Sequence, residues 1–292
     1  MKYLSLLRVR TECAWLDQAI LSEKDNAKLL HYLKFTLHEH YRKFDAVIDD
    51  YKTAPAPSRI GVTAQVLKAF YSNPPTALRG SFKLRRTDHQ LDECPYCGYP
   101  SPPDTLDHFI PKEKWPEFAI FSNNLVPQCR DCAPIKGHRY YCSDKRQALF
   151  LHPMYSAALS AVRFDVDITM EHEKPLFKPR FSIEKSTSEE EANRIKLHLR
   201  ALKVPKRIVA YCEHQYKRWG RLVREKGCNI KKSFETRLDE YGGHAYASNW
   251  AAAFYLGVLS RPEVIKSLQG DVHQKPSCVP ECTLPLMLDE DE

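Results

Sequence analysis

The feature that most constrains this chain is a set of two Cys-x2-Cys pairs, Cys94/Cys97 and Cys129/Cys132, with 31 residues between the pairs. Four thiolates at this spacing can close a tetrahedral shell around one zinc ion. Such a shell leaves no open coordination position, so any chemistry must come from residues that the site holds in place. The spacing therefore predicts a structural Zn²⁺ site that fixes the segment between the pairs.

The segment between the two pairs, together with the residues just after the second pair, carries side chains suited to hydrolysis. Asp107 and His108 are adjacent, Asn124 precedes the second pair, and Lys136 follows it. A hard carboxylate suits Mg²⁺ or Mn²⁺, and an imidazole, with an ordinary pKa near ~6.5, suits proton transfer at neutral pH. This combination indicates a catalytic site, whereas the cysteine pairs alone would indicate only a structural zinc knuckle.

In order and spacing these residues resemble the HNH, or ββα-metal, endonucleases. The pattern of that family runs Cys-x2-Cys, Asp-His-Ile-x-Pro, Asn-Leu-Val and a second Cys-x2-Cys, followed by an Asn or His and then a Lys. The resemblance covers the segment from Cys94 to His138. It implies an α+β fold in which a zinc-stapled ββα-metal nuclease core is embedded in mainly α-helical N- and C-terminal regions.

The resemblance also implies a role for each motif residue. His108 would be the general base that takes a proton from the attacking water. Asp107 would hold the catalytic Mg²⁺ or Mn²⁺, which stabilises charge on the phosphorus and the departing oxygen. Asn124 would brace the loop that carries His108. The cations Lys136, Arg139 and Lys112 would contact phosphate oxygens.

One position departs from the family pattern. After Cys132 the family has an Asn or His that completes the catalytic metal site, and this chain has Ala133, whose methyl group cannot bind a metal. Three explanations are open: an introduced substitution that inactivates the enzyme, a natural replacement in which Asp131 or His138 supplies the ligand, or a naturally inactive member that only binds its target. The sequence favours the first, because the other motif residues are all present.

Three regions are expected: an N-terminal helical region at 1–90, the HNH core at 91–150, and a mainly helical C-terminal region at 151–292 with a basic helix and an acidic tail. In the first region, a helix should start near Ser22, with apolar residues recurring at spacings of three and four from Leu30 to Ile48. A second helix should follow at about 63–71.

The C-terminal region has its own local signals. Alternating apolar and charged residues at 162–168 predict a strand, and residues 177–183 are expected to form its paired strand. Ser188 and Glu191 form a capping box that opens a helix running toward Leu202, and Pro205 starts the next helix. A buried helix is predicted at 249–259.

The net charge of +7 is concentrated in one block of this region. Between Arg194 and Arg237 there are 14 Lys and Arg residues against three Glu. Apolar residues at helical spacing predict a core-facing side, whereas Arg207, Arg218 and Arg221 fall on a separate stripe. Such a basic face fits a polyanion, so we predict nucleic-acid binding, the alternative being a solvated helix face.

The sequence predicts a cytoplasmic protein without a membrane span. Arginines interrupt the apolar run at the N-terminus, and the longest apolar stretch, Trp250 to Leu259, is too short to cross a bilayer. The six cysteines outside the two pairs are scattered along the chain. That usage fits a reducing compartment.

The function expected from these observations is a metal-dependent HNH endonuclease that hydrolyses phosphodiester bonds of DNA or RNA. The alternative is a non-catalytic, zinc-containing nucleic-acid-binding or scaffold subunit, which Ala133 favours. Helical extensions on both sides of the core are similar to those of nuclease subunits in bacterial antiphage systems of the Septu or retron-associated type. That similarity implies an ATPase partner subunit.

Overall fold

The N-terminal region is helical, as its apolar periodicity predicts. Within residues 1–9, 14–242 and 247–270, which the computed structural model describes, this region contains α1 (Ala14–Ile20), α2 (Ala27–Asp49), α3 (Ala64–Ser72) and α4 (Thr76–Thr87). The buried side chains of α2 repeat from Leu30 to Ile48. The helix begins at Ala27 and not near Ser22, because Asn26 adopts a left-handed backbone conformation with a φ of 68°.

The two cysteine pairs enclose a short antiparallel sheet. Strand β1 (Thr105–His108) pairs with β2 (Leu125–Gln128), so that His108 lies opposite Leu125 at the end of the ladder. The second cysteine pair then leads into the short helix α5 (Cys132–Lys136). Strands β3 (Tyr141–Cys142) and β4 (Gln147–Ala148) form another small antiparallel pair.

The C-terminal region combines a long hairpin with helices. Strand β5 (Arg163–Glu171) pairs with β6 (Lys174–Ser182), which confirms the predicted strand pair. The region continues with α6 (Glu189–Ala201), α7 (Val204–Lys226), α8 (Ile230–Asp239), α9 (Trp250–Leu259) and α10 (Pro262–Gln269). The predicted acidic tail lies outside the described residues.

The predicted helix boundaries in this region are confirmed by their caps. The Ser188 hydroxyl accepts a hydrogen bond from the Glu191 backbone N–H at 3.2 Å, and α7 has Pro205 in its first turn. Helix α9 is buried along most of its length. It approaches β5 so closely that a Cβ at Gly257 would lie 2.4 Å from the Val166 carbonyl oxygen, which excludes a side chain there.

A single hydrophobic cluster includes buried residues of all three predicted regions. Tyr41 of α2 stacks on Phe121, which precedes β2, with ring centroids 4.3 Å apart. Trp250 of α9 donates a hydrogen bond from its indole Nε1 to the Cys97 carbonyl oxygen at 2.7 Å. The helices on both sides therefore pack directly against the cysteine-bounded segment.

Two buried histidines join these regions as neutral side chains. His198 of α6 donates from Nε2 to the Tyr96 carbonyl oxygen at 2.7 Å, and its Nδ1 accepts a backbone N–H at 3.0 Å. His152 donates in the same way to the Asn123 carbonyl oxygen at 2.9 Å and accepts a backbone N–H at 3.1 Å. Burial lowers the pKa of His198 to about 4 and that of His152 to about 3.

These lowered pKa values predict a loss of stability in mild acid. An unfolded histidine has a pKa of about 6.5, so below that pH the unfolded chain binds a proton that the folded chain excludes. Each such histidine should lower the free energy of unfolding by about 1.4 kcal/mol per pH unit as the pH falls from 6.5 toward the folded pKa. Urea unfolding of the wild-type chain and a His152→Gln variant between pH 7 and pH 4.5 measures this effect. The variant should show the shallower decline, and parallel curves would contradict the prediction.

Candidate functional site

The four cysteines of the two pairs converge on one point. Their sulfur atoms all lie within 4.8 Å of one another, and all four residues are buried. The Cys97 and Cys129 sulfur atoms are 3.9 Å apart, close to the ~3.8 Å that a tetrahedral zinc site with ordinary Zn–S bonds requires. The Cys132 thiol lowers the pKa of Cys129, to which it is hydrogen-bonded. The cluster could therefore hold a metal ion such as zinc.

Asp107 lies beside this cluster on β1, where two partners hold one of its carboxylate oxygens. The Tyr96 hydroxyl donates to Oδ2 at 2.8 Å, and the Lys136 ammonium is 3.1 Å from the same oxygen. Tyr96 lies within the first cysteine pair and Lys136 belongs to α5, so both ends of the cysteine-bounded segment position the carboxylate. Both contacts involve Oδ2.

Lys136 is fully buried, and its ammonium makes three polar contacts. Besides the ion pair with Asp107, its ammonium donates to the His108 carbonyl oxygen at 2.9 Å and the Phe109 carbonyl oxygen at 3.1 Å. Burial lowers the pKa of Lys136, and the Asp107 carboxylate opposes that shift. These three acceptors replace the hydrogen bonds to water that the ammonium loses when it is buried.

His108 is buried at the end of β1 and is held in one tautomer. Its Nε2 is 2.9 Å from the Ala119 carbonyl oxygen, which can only accept, so Nε2 carries the proton and Nδ1 keeps its lone pair. The ring of Tyr71 packs edge-on against the imidazole at 4.2 Å. Burial lowers the pKa of His108 to about 3. The imidazole is therefore neutral at physiological pH.

Asn124 fixes the backbone that follows His108. Its Oδ1 accepts the Ile110 backbone N–H at 2.7 Å, and its Nδ2 donates to the carbonyl oxygens of Ile110 at 2.9 Å and Phe118 at 3.1 Å. This is the geometry that the predicted bracing role requires. The neighbouring Asn123 instead binds both the backbone N–H and the carbonyl of Val9.

An open cavity of about 230 Å³ brings together two of the three predicted catalytic residues, Asp107 and His108, whereas Asn124 is buried outside it. Its walls include Asp107, His108 and Ala133, together with Lys112, Glu113, Gln128 and His138. His138 Nδ1 is 3.3 Å from Glu113 Oε2. Asp131 lines a different cavity and lies 3.8 Å from Arg207. Of the two side chains considered as replacements at Ala133, only His138 therefore lines the cavity with Asp107.

The structure corrects two predicted nucleic-acid contacts. Lys136 cannot reach a phosphate, because its ammonium is enclosed and points at Asp107 and two carbonyl oxygens. Arg207 does not belong to the exposed stripe of α7, since its guanidinium turns inward and donates to the Cys132 sulfur at 3.2 Å. The helical periodicity of α7 predicts Arg207 among the exposed cations. Its long side chain instead folds back toward the buried Cys132 sulfur.

The remaining predicted contacts differ in their surroundings. Lys112 lines the cavity and forms an ion pair with Glu113 at 2.9 Å. Arg139 is exposed but donates to the Ala201 carbonyl oxygen at 2.9 Å. Arg218 and Arg221 are exposed on α7, as predicted. Lys112 is the predicted phosphate contact that lies beside Asp107 and His108.

Sequence reasoning missed Tyr96, Tyr71 and Glu113. Tyr96 occupies a variable position of the first Cys-x2-Cys pair, and Tyr71 comes from α3, far from the motif in sequence. Of these three residues, only Glu113 could have been identified from the sequence, because its carboxylate follows shortly after Asp107 and His108.

Comparison with known proteins gives one partial relative. The chain is 40% identical over 99 residues to Protein ea31 of Escherichia phage lambda, a stretch that covers 32% of each protein. The chain thus matches about a third of the length of that relative. No family model matches the chain, and no solved structure does. Among the described residues, every helix is too short or too polar to cross a lipid bilayer.

The four-cysteine cluster predicts one bound metal ion per chain. A Cys97→Ser variant should lose that metal and unfold at lower temperature, because the remaining three thiolates no longer close a tetrahedral shell. Elemental analysis and thermal unfolding of the purified protein measure both effects. The matched Cys142→Ser variant should keep the metal, since Cys142 lies outside the cluster. Equal metal content in the two variants would contradict the assignment.

The buried ammonium predicts a large stability effect for Lys136. A Lys136→Met change leaves Asp107 without its cation and two carbonyl oxygens without a donor, so the free energy of unfolding should fall by about 3–5 kcal/mol. A Lys114→Met change at an exposed position should stay within about 0.5 kcal/mol. Urea denaturation of both variants with the metal present tests the difference. Similar values for the two variants would show that Lys136 is not a buried structural cation.

Proposed function

We propose that this protein is a metal-dependent HNH-type endonuclease that hydrolyses phosphodiester bonds in DNA or RNA. The observation that supports the proposal is the shared cavity, in which a neutral histidine with one free nitrogen lies beside a carboxylate. The order of the motif residues along the chain is that of the HNH pattern. In this proposal the four cysteines hold a structural Zn²⁺ that keeps β1, β2 and α5 together.

His108 supplies the proton transfer. With Nε2 bound to the Ala119 carbonyl oxygen, Nδ1 accepts a proton from the water that attacks phosphorus, while the bond from phosphorus to the leaving oxygen breaks. The Nε2 hydrogen bond fixes the ring and would stabilise the imidazolium that forms. A low pKa keeps Nδ1 unprotonated before each turnover.

In this proposal a divalent cation would bind in the cavity, although not in the usual family arrangement. Among the described residues only the four cysteines already have their ligand atoms grouped around one point, so the carboxylates and imidazole of the cavity would have to converge on the ion as it binds. Asp107 supplies a carboxylate, and Glu113 and His138 offer an oxygen and a nitrogen in the cavity where Ala133 offers nothing. A bound Mg²⁺ or Mn²⁺ would stabilise negative charge on the phosphate. Lys112 lines the same cavity, and in this proposal its ammonium binds a non-bridging phosphate oxygen.

The alternative function is a binding subunit without catalysis, which Ala133 favours. This alternative includes a scaffold subunit, which needs no nucleic acid in the cavity, and only the nuclease requires the free Nδ1 of His108. The predicted defence setting and ATPase partner stay predictions.

The proposed activity can be measured as metal-dependent cleavage of plasmid DNA and bulk tRNA. Activity should need Mg²⁺ or Mn²⁺ and disappear with EDTA, and His108→Ala should lower the rate by about 10²–10⁴-fold because the base is lost. Ala133→Asn should raise the rate by restoring the family's ligand. His214→Ala, an exposed histidine that lines another cavity, serves as the control and should leave the rate unchanged.

The pattern of variants separates the two functions. If the wild-type chain and Ala133→Asn both bind the polymers but neither cuts them with any metal, the protein is a binding subunit. If wild type cuts and His138→Ala does not, His138 completes the metal site. A wild-type rate that survives His108→Ala would rule out the proposed mechanism.

A further inference from the structure

The side chain of Arg207 lies against the sulfur atoms of the second cysteine pair. Its Nη1 donates to the Cys132 sulfur at 3.2 Å and its Nη2 lies 3.7 Å from the Cys129 sulfur. Both distances fall within the range for N–H···S hydrogen bonds. The two contacts involve different guanidinium nitrogens, so one side chain bridges both sulfur atoms of the pair.

A rigid surrounding holds the guanidinium in this place. The indole ring of Trp250 lies 5.1 Å from the guanidinium carbon, and the Trp250 Nε1 is itself bound to the Cys97 carbonyl oxygen. The Arg207 side chain is 13% exposed, whereas Asp131, its carboxylate neighbour at 3.8 Å, is 61% exposed. The buried partners of this cation are therefore the thiolates.

The charge of the proposed zinc site explains why a cation is placed there. Four thiolates around one Zn²⁺ carry a formal charge of −2, and water is largely excluded from the buried cluster. A guanidinium cancels part of that charge and donates to sulfur lone pairs that are not used by the metal.

We propose that Arg207 is a positioning residue of the zinc site, where it holds the Cys129–Cys132 pair and slows loss of the metal. The inference rests on the zinc occupancy proposed above and is independent of nuclease activity. Because α5 begins at Cys132 and carries Ala133 and Lys136, Arg207 also holds one wall of the catalytic cavity through that helix. The C-terminal region thereby contributes Arg207 to the zinc site, although Arg207 lies outside the sequence motif that predicts the site.

Zinc release from the full chain tests this assignment. Arg207→Met should release zinc to a chromogenic chelator about 10- to 100-fold faster than wild type, because loss of a partner of a metal ligand typically lowers metal affinity by about that factor. Arg207→Lys, which keeps the charge but has a single donor group, should lie between them. Arg221→Met removes the same charge from an exposed position of α7 and should match wild type.

Two further measurements distinguish a direct effect on sulfur from a general loosening of the fold. In the Co²⁺-substituted protein, the sulfur-to-cobalt charge-transfer band of Arg207→Met should move to lower energy, because the thiolates lose hydrogen-bond donors. Limited alkylation followed by mass mapping should label Cys129 and Cys132 before Cys94 and Cys97 in this variant.

The outcomes are separable. A wild-type chain that holds no metal overturns the zinc proposal and this inference with it. A wild-type chain that holds zinc, beside an Arg207→Met variant with unchanged release and an unchanged cobalt spectrum, overturns this inference alone. If Arg207→Met does not fold, Arg207→Lys decides: faster release with a shifted band supports the assignment, and wild-type values overturn it.

Discussion

The arrangement of this protein depends on the convergence of four sulfur atoms from two chain segments. The two pairs are 31 residues apart in sequence, yet their sulfur atoms lie within 4.8 Å of one another. Closing that loop costs chain entropy, and four buried thiols give little in return unless a metal binds them. The enclosed loop contains β1 and β2, so the positions of Asp107 and His108 follow from this closure.

The buried side chains of Lys136 and Asn124, near the cluster, have hydrogen-bond partners within the protein. Lys136 neutralises Asp107 and binds two carbonyl oxygens, and Asn124 satisfies the backbone after His108. This pairing explains why Lys136 cannot act on a phosphate. Lys112 differs from it, because its side chain lines the cavity and pairs with Glu113. Whether a lysine near the cavity stabilises the fold or can bind a ligand therefore depends on how many protein acceptors its ammonium already contacts.

Three of the C-terminal helices make hydrogen bonds to the cysteine pairs. His198 binds the carbonyl of Tyr96, Trp250 binds that of Cys97, and Arg207 donates to the sulfurs of the second pair. Helices α6, α9 and α7 therefore each contribute one side chain that donates a hydrogen bond to the cysteine pairs. A perturbation of this region, such as binding of a polyanion to the exposed cations of α7, would act on a helix that also carries Arg207.

The sequence by itself determined the local features of this protein, because they depend on nearby residues. The stripe of α2, the β5–β6 pair, the Ser188 cap and the buried helix α9 all followed from short-range periodicity or capping, and the cysteine spacing predicted the four-sulfur cluster. Only the tertiary structure decided which charged side chains face solvent. Lys136 and Arg207 have sequence surroundings like those of exposed cations, but their partners, Asp107 and the paired thiolates, lie 28 or more residues away. Contacts of that range depend on how the chain folds back, so no local pattern specifies them.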